Sequence, residues 1–156
     1  KVLEKVNKSH PNIKLLVISH PRNDIPLTLE SYQKIEQSNQ AILLSKIPRE
    51  DIIGLLTLSD LLLNPTLEEG FGLPNIEAQI CGTPVVSSNV SCIPEVLGDS
   101  AVLIDPLNVK LISDSCVTII ENENLRNDLV KKGFKNVQKY NDLERYNSML
   151  ELFDKI

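Results

Sequence analysis

The stretch from Leu61 to Gly82 constrains the fold more than any other, because a strand signal, a glycine loop and a helix signal follow one another without a break. Leu61-Leu62-Leu63 has the continuous apolar character of a strand buried on both faces, as parallel sheets require. Pro74-Asn75-Ile76-Glu77-Ala78-Gln79-Ile80-Cys81 reads as a helix. Pro74 suits its first position, where a missing N–H costs nothing, and Gly82 stands where a left-handed C-cap is expected. Ligands of such strand–loop–helix units sit beyond the carboxyl end of the strand.

Gly70 and Gly72 remove two Cβ atoms where the loop meets the helix, so backbone N–H groups there are open to close approach. With the positive end of the helix dipole they favour a phosphate. Glu77 is expected in the first helical turn. Its carboxylate can accept from two neighbouring hydroxyls at once, as a ribose diol demands. Glu69, on the loop itself, has the same capacity toward the hydroxyls of a sugar. The competing reading is structural, since a glutamate near a helix N-terminus often serves only the dipole. Phe71, between the two glycines, is expected either to be buried as an anchor of the loop, the favoured reading, or to lie exposed over a sugar ring.

The rest of the chain alternates short apolar strands with helical patterns. Strands are expected at 13–18, 41–44, 61–63, 84–87 and 101–104. Helices are expected at 2–8, 27–39, 50–59, 93–98, 109–121, 125–140 and 142–156, with Gly133 a weak point in the longest of them. This is the pattern of an α/β fold with a doubly wound, Rossmann-like parallel sheet, and residues 1–156 amount to a single domain.

Composition narrows the partners. A formal net charge of −5 with scattered basic residues argues against nucleic acid, which needs clustered Lys and Arg. No apolar run approaches the roughly 20 residues of a membrane span, so the expectation is a soluble, cytoplasmic chain; any peripheral membrane association would come through other parts of a longer protein. Cys81, Cys92 and Cys116 are an odd count without metal-ligand spacing, and His10 and His20 flank prolines, so no metal site is expected. Cys81 and Cys116 fall in helical patterns as core residues, which leaves Cys92 as the solvent-reachable thiol.

The string EGFGLPNIEAQICGTPVVSSNVSCIPEVLGDSAVLIDP, Glu69 to Pro106, resembles the C-terminal, donor-binding domain of retaining family-4-type glycosyltransferases with the GT-B fold. The likeness is dense and ungapped from about Asp60 to Pro106 and includes that family's pair of glutamates separated by seven residues, here Glu69 and Glu77. The resemblance implies that Glu69 is catalytic, contacting the donor sugar. It gives Glu77 the ribose of a nucleotide diphosphate sugar, and gives the amides of Gly70, Phe71, Gly72 and Leu73 the sugar and diphosphate. Lys46 and Ile47, in the turn Ser45-Lys46-Ile47-Pro48, would lay their backbone against the base. No cofactor or metal is implied, and a glycan or lipid-linked acceptor would be held by a separate N-terminal domain. The family's common Gly-Gly after the Val-Val strand is Ser91-Cys92 here. The Ser-Asn-Val-Ser form of that loop looks more like mannosyl- and rhamnosyl-transferring members, which points to a GDP-mannose-type donor.

The alternatives are a non-catalytic nucleotide-sugar-binding module and a purely structural partner half. With the strand order 3-2-1-4-5-6, the first strand of the domain and the basic residues facing the diphosphate would precede Lys1. The 13–18 and 61–63 strands are then expected either to stand a strand's width apart, roughly 10 Å, or to close onto each other.

Overall fold

The computed structural model describes residues 1–18, 30, 33–35 and 37–140. Helix α1 (Val2–Ser9) leads into β1 (Leu15–Ile18), and β2 (Ala41–Leu44) is followed by α2 (Arg49–Leu58) and β3 (Leu62–Asn64). Then come α3 (Leu73–Ile80), β4 (Val85–Ser88), the short α4 (Ile93–Leu97), β5 (Val102–Ile104), α5 (Val109–Glu121) and α6 (Glu123–Val137), which tightens into a 3-10 turn at Gln138–Tyr140. The expected helix at 27–39 falls partly, and that at 142–156 together with His20 wholly, outside the described residues.

All strand pairs are parallel. β1 pairs with β2 in the register Leu15 to Ala41, and β4 lies between β3 and β5 with Leu63 opposite Val86 and Ser87 opposite Leu103. The two groups form separate sheets, so β1 and β3 have not closed onto each other, and no described strand lies between them. The break falls where the 3-2-1-4-5-6 order puts a further strand.

Every residue of β4 is buried. Its side chains alternate between two cores, as the two-residue strand period dictates. Val85 joins Leu56 of α2, Ile76 and Ala78 of α3 and Ile93, Val96 and Leu97 of α4 on one face. Val86 joins Val6 of α1, Ile104, Leu129 of α6 and Ile112, Cys116 and Ile119 of α5 on the other. Helices on both faces of a parallel sheet make the doubly wound arrangement. Burial also pushes the Cys116 thiol up to about 11, so it packs as a small apolar group.

Local chemistry shifts several boundaries. Asn108 and Asn122 cap α5 and α6 by accepting from the N–H groups of Leu111 and Leu125, each at 3.0 Å, which is why α6 begins at Glu123 rather than 125. Gly133 is no weak point. A Cβ there would stand 3.2–3.3 Å from the Gln79 side chain, so the missing atom lets α6 approach α3 closely. Helix α3 begins at Leu73 with Gly72 as N-cap, which makes Pro74 the second helical residue instead of the first. Cys81 and Cys92 are both half-buried, so Cys92 is not the only thiol with access to solvent. Cys81 is the C-cap of α3, at the end of the helix and not within it.

Candidate active site

Strand β3 delivers the chain to residues 65–72, and this loop meets the N-terminus of α3. Gly72 has φ +85, in the left-handed region that glycine enters freely; a Cβ there would also lie 2.7 Å from Ile93 Cδ1 and 2.9 Å from Asn75 Nδ2. No other residue fits this N-cap without a shift. Gly70 has nothing within 4 Å of its missing Cβ, so it faces open space. Among the described residues, no hydrogen bond is donated by the N–H groups of Gly70, Phe71 or Gly72. Free donors at the positive end of α3, with no acidic residue in its first turn, make a place for an anion. Beneath them Asn75 is fully buried, its Oδ1 accepting from Asn64 Nδ2 at 3.2 Å while its own Nδ2 has no partner.

Glu69 is half-buried, and its side chain passes over Gly72, with Cγ 3.6 Å from the position a Gly72 Cβ would take. Among the described residues no ion pair or hydrogen bond engages its carboxylate, which keeps all its acceptor sites for a ligand. Phe71 is 38% exposed and lies edge-on to Tyr140, ring centroids 5.2 Å apart at 89°. The favoured reading of a buried anchor is thus corrected: Phe71 is exposed, with its ring in contact with that of Tyr140. Tyr140 is itself held by its hydroxyl, which donates to Val96 O at 2.9 Å.

Glu77 is the fifth residue of α3, one residue further along than a helix starting at Pro74 puts it, and so lies just past the first turn. Its Oε1 accepts from Arg49 Nη2 at 3.0 Å, joining the first residue of α2 to α3. Both line a cavity of about 400 Å³ with Ile47, Ile52, Ile80 and Cys81 among its walls. The fold therefore brings Ile47 and Glu77 to one cavity. Lys46 is exposed with φ +55, an uncommon backbone state for a lysine, and it turns the chain sharply between β2 and α2. Glu69 does not line this cavity.

Arg49 escapes a reading of the sequence, since nothing in the spacing of residues 28 apart announces a contact. The same holds for the buried network under α3. Gln79 Nε2 donates to Ser100 Oγ at 2.7 Å, and Asn136 Nδ2 donates to both Gln79 Oε1 and Val96 O, fixing α3 against α4 and α6. Among the described residues no group of His, Cys, Asp or Glu side chains is placed to hold a metal ion, and no helix is long and apolar enough to cross a membrane.

A loop of free amides at a helix N-terminus, an unpaired carboxylate over it and an oriented carboxylate beside an apolar cavity together suit a phosphorylated, hydroxyl-rich ligand. Residues 1–136 match the family model described as glycosyl transferases group 1. The chain is similar to the O-antigen chain mannosyltransferase B of Escherichia coli, 35% identical over 97 residues that make up 62% of this chain and 26% of that protein. Sucrose-phosphate synthase from Thermosynechococcus elongatus shares its fold with a TM-score of 0.82 at 22% identity, over 99% of this chain and 41% of that one. So does the C-terminal domain of a glycosyl transferase group 1 family protein from Francisella tularensis, with a TM-score of 0.74 at 24% identity over 91% of this chain and 77% of that one. The chain thus spans about a quarter of the mannosyltransferase it matches. It belongs to the glycosyl transferases group 1 family, with the α/β architecture of the GT-B glycosyltransferases.

Proposed function

We propose that this chain is the donor-binding part of a retaining glycosyltransferase that moves a hexose from a nucleotide diphosphate sugar to a glycan or lipid-linked acceptor. The observation that carries the reading is the division between the two glutamates: Glu77 is held by Arg49 at the mouth of a cavity, and Glu69 is unpaired above the free amides of the α3 N-terminus. In this reading Glu77 accepts from the ribose diol, and the Lys46–Ile47 turn meets the base. The amides of Gly70 to Leu73 and the positive end of α3 take up charge on the departing diphosphate, while Glu69 places the sugar. Catalysis of this kind rests on positioning and fixed dipoles, with no resident metal in it.

The Ser-Asn-Val-Ser loop and the similarity to a protein named as a mannosyltransferase favour a GDP-mannose-type donor. The three free cysteines suit the reducing cytoplasm. Residues 1–156 alone are expected to catalyse no transfer, because the acceptor site of the resembled enzymes lies in another domain. Testing the reading takes the full-length protein: a thermal-shift panel of GDP, UDP and ADP sugars to find the donor, then transfer with the product anomer assigned. A stabilising donor and transfer with retention are expected. Inversion, or neither transfer nor hydrolysis with any donor, overturns the reading in favour of a binding or structural module.

A further inference from the structure

Four side-chain donors from one short segment, Ser87 to Cys92, end on main-chain carbonyls of the last residue of β3 and of the loop that carries Glu69. Ser87 Oγ donates to Asn64 O at 3.0 Å and Ser88 Oγ donates to Thr66 O. Ser91 Oγ donates to Glu69 O at 2.8 Å, and Cys92 Sγ reaches the same oxygen at 3.2 Å. The Glu69 N–H in turn points to Ser91 Oγ at 3.4 Å, so the N–H and the C=O of Glu69 both meet one hydroxyl. The fastening stops there. A Cβ at Gly70 would face open space, and among the described residues the amides of residues 70–72 donate no hydrogen bond. The last fixed point of the loop is thus the residue whose carboxylate is unpaired.

Ser91 has φ +59, in the left-handed region that glycine enters freely and a serine does not. If the turn alone mattered, glycine would be the better residue at this position. What glycine cannot supply is the hydroxyl on Glu69. We propose that Ser91 is a positioning residue of the transfer reaction, bearing an unfavourable backbone state in order to set the Glu69 main chain, with the Cys92 thiol as a second support. The inference rests on the role given to Glu69 above. It predicts a substitution that relieves the backbone yet harms turnover, which a merely structural contact would not do.

The test uses the full-length protein with GDP-mannose as donor and GDP as the binding probe. In Ser91→Gly the relieved φ offsets the lost hydrogen bond and the looser unfolded chain, so the melting temperature should stay within about 2 °C of wild type. Turnover should fall by about tenfold while GDP affinity changes by less than about twofold. Ser91→Ala, which keeps the strained backbone and loses the hydroxyl, should lose turnover to the same degree and melt lower. Turnover of Ser91→Gly within about twofold of wild type overturns the proposal, as does a parallel loss of turnover and GDP affinity. Should the wild-type protein transfer nothing, the functional reading fails while this inference is still judged by amide exchange in the ligand-free protein. The Glu69 amide, which meets Ser91 Oγ at 3.4 Å, should exchange faster in Ser91→Gly, and an unchanged rate overturns the strap.

Discussion

The two glutamates of the site are held in opposite ways. Glu69 is fixed through its main chain by Ser91 and Cys92 and is free at its carboxylate. Glu77 is fixed through its carboxylate by Arg49, on a helix whose own placement depends on the buried Gln79–Asn136 pair. In the function proposed above, the contrast is how one strand–loop–helix unit would separate two tasks. A group working at a reacting centre needs an accurately placed backbone and unspent lone pairs. A group that binds a diol needs a set orientation, and a carboxylate has acceptor sites to spare after one guanidinium contact.

The sharpest way to break this contrast is at Glu69. Glu69→Gln keeps the shape of the side chain and removes its charge. Turnover is expected to fall by roughly two to three orders of magnitude, the usual effect of deleting one preorganised group that stabilises developing charge. GDP affinity, measured by calorimetry on the full-length protein, should stay within about twofold. A comparable loss of GDP affinity would show that both glutamates bind nucleotide and that the division does not exist.

At the other end, Glu77→Ala should weaken GDP itself. A partly buried hydroxyl pair losing its acceptor costs about 1–3 kcal/mol, or roughly five- to 150-fold in affinity. The preference for GDP over 2′-deoxy-GDP should vanish with it. If GDP binds Glu77→Ala as tightly as wild type, the ribose assignment is wrong, whatever Glu69 does.

What could be read from the chain differs between these two groups and their supports. The strand and helix pattern was legible because apolar runs are bracketed by prolines and glycines: the expected strand at 84–87 is Val85–Ser88, and the expected helix at 109–121 is Val109–Glu121. Glu69, Glu77 and the glycines between them stood out because they lie within a single loop and helix, where spacing carries information. Their supports did not. Arg49 meets Glu77 across 28 residues, Ser91 meets Glu69 across 22, and Asn136 meets Gln79 across 57. Such contacts are set by which helices and loops the sheet places side by side, and no local period marks them. Glu77 lies one residue further into its helix than the sequence places it, for a related reason. The helix start was read from Pro74, whereas the left-handed Gly72 starts it one residue earlier, at Leu73.

The smallest expected effect concerns Arg49, and it bears on whether Glu77 is held or merely accompanied. The Arg49 side chain is 79% exposed and that of Glu77 36%, so the pair contributes little to folding, as solvent-exposed ion pairs do. Its consequence is local. In the proposed reading the Glu77 carboxylate stands near a bound diphosphate and would repel it, and a guanidinium at 3.0 Å offsets that charge while leaving Oε2 for a diol. Arg49→Ala should therefore leave the melting temperature unchanged and weaken GDP by about two- to fivefold at low ionic strength. Because the pair is open to solvent, raising the salt to about 0.5 M should shrink that deficit, whereas the deficit of Glu77→Ala, a lost acceptor, should persist. Tighter GDP binding in Arg49→Ala would reverse the sign: the guanidinium would then compete with the ribose for Glu77, and the helix end of the site would be closed by its own ion pair until the nucleotide opened it.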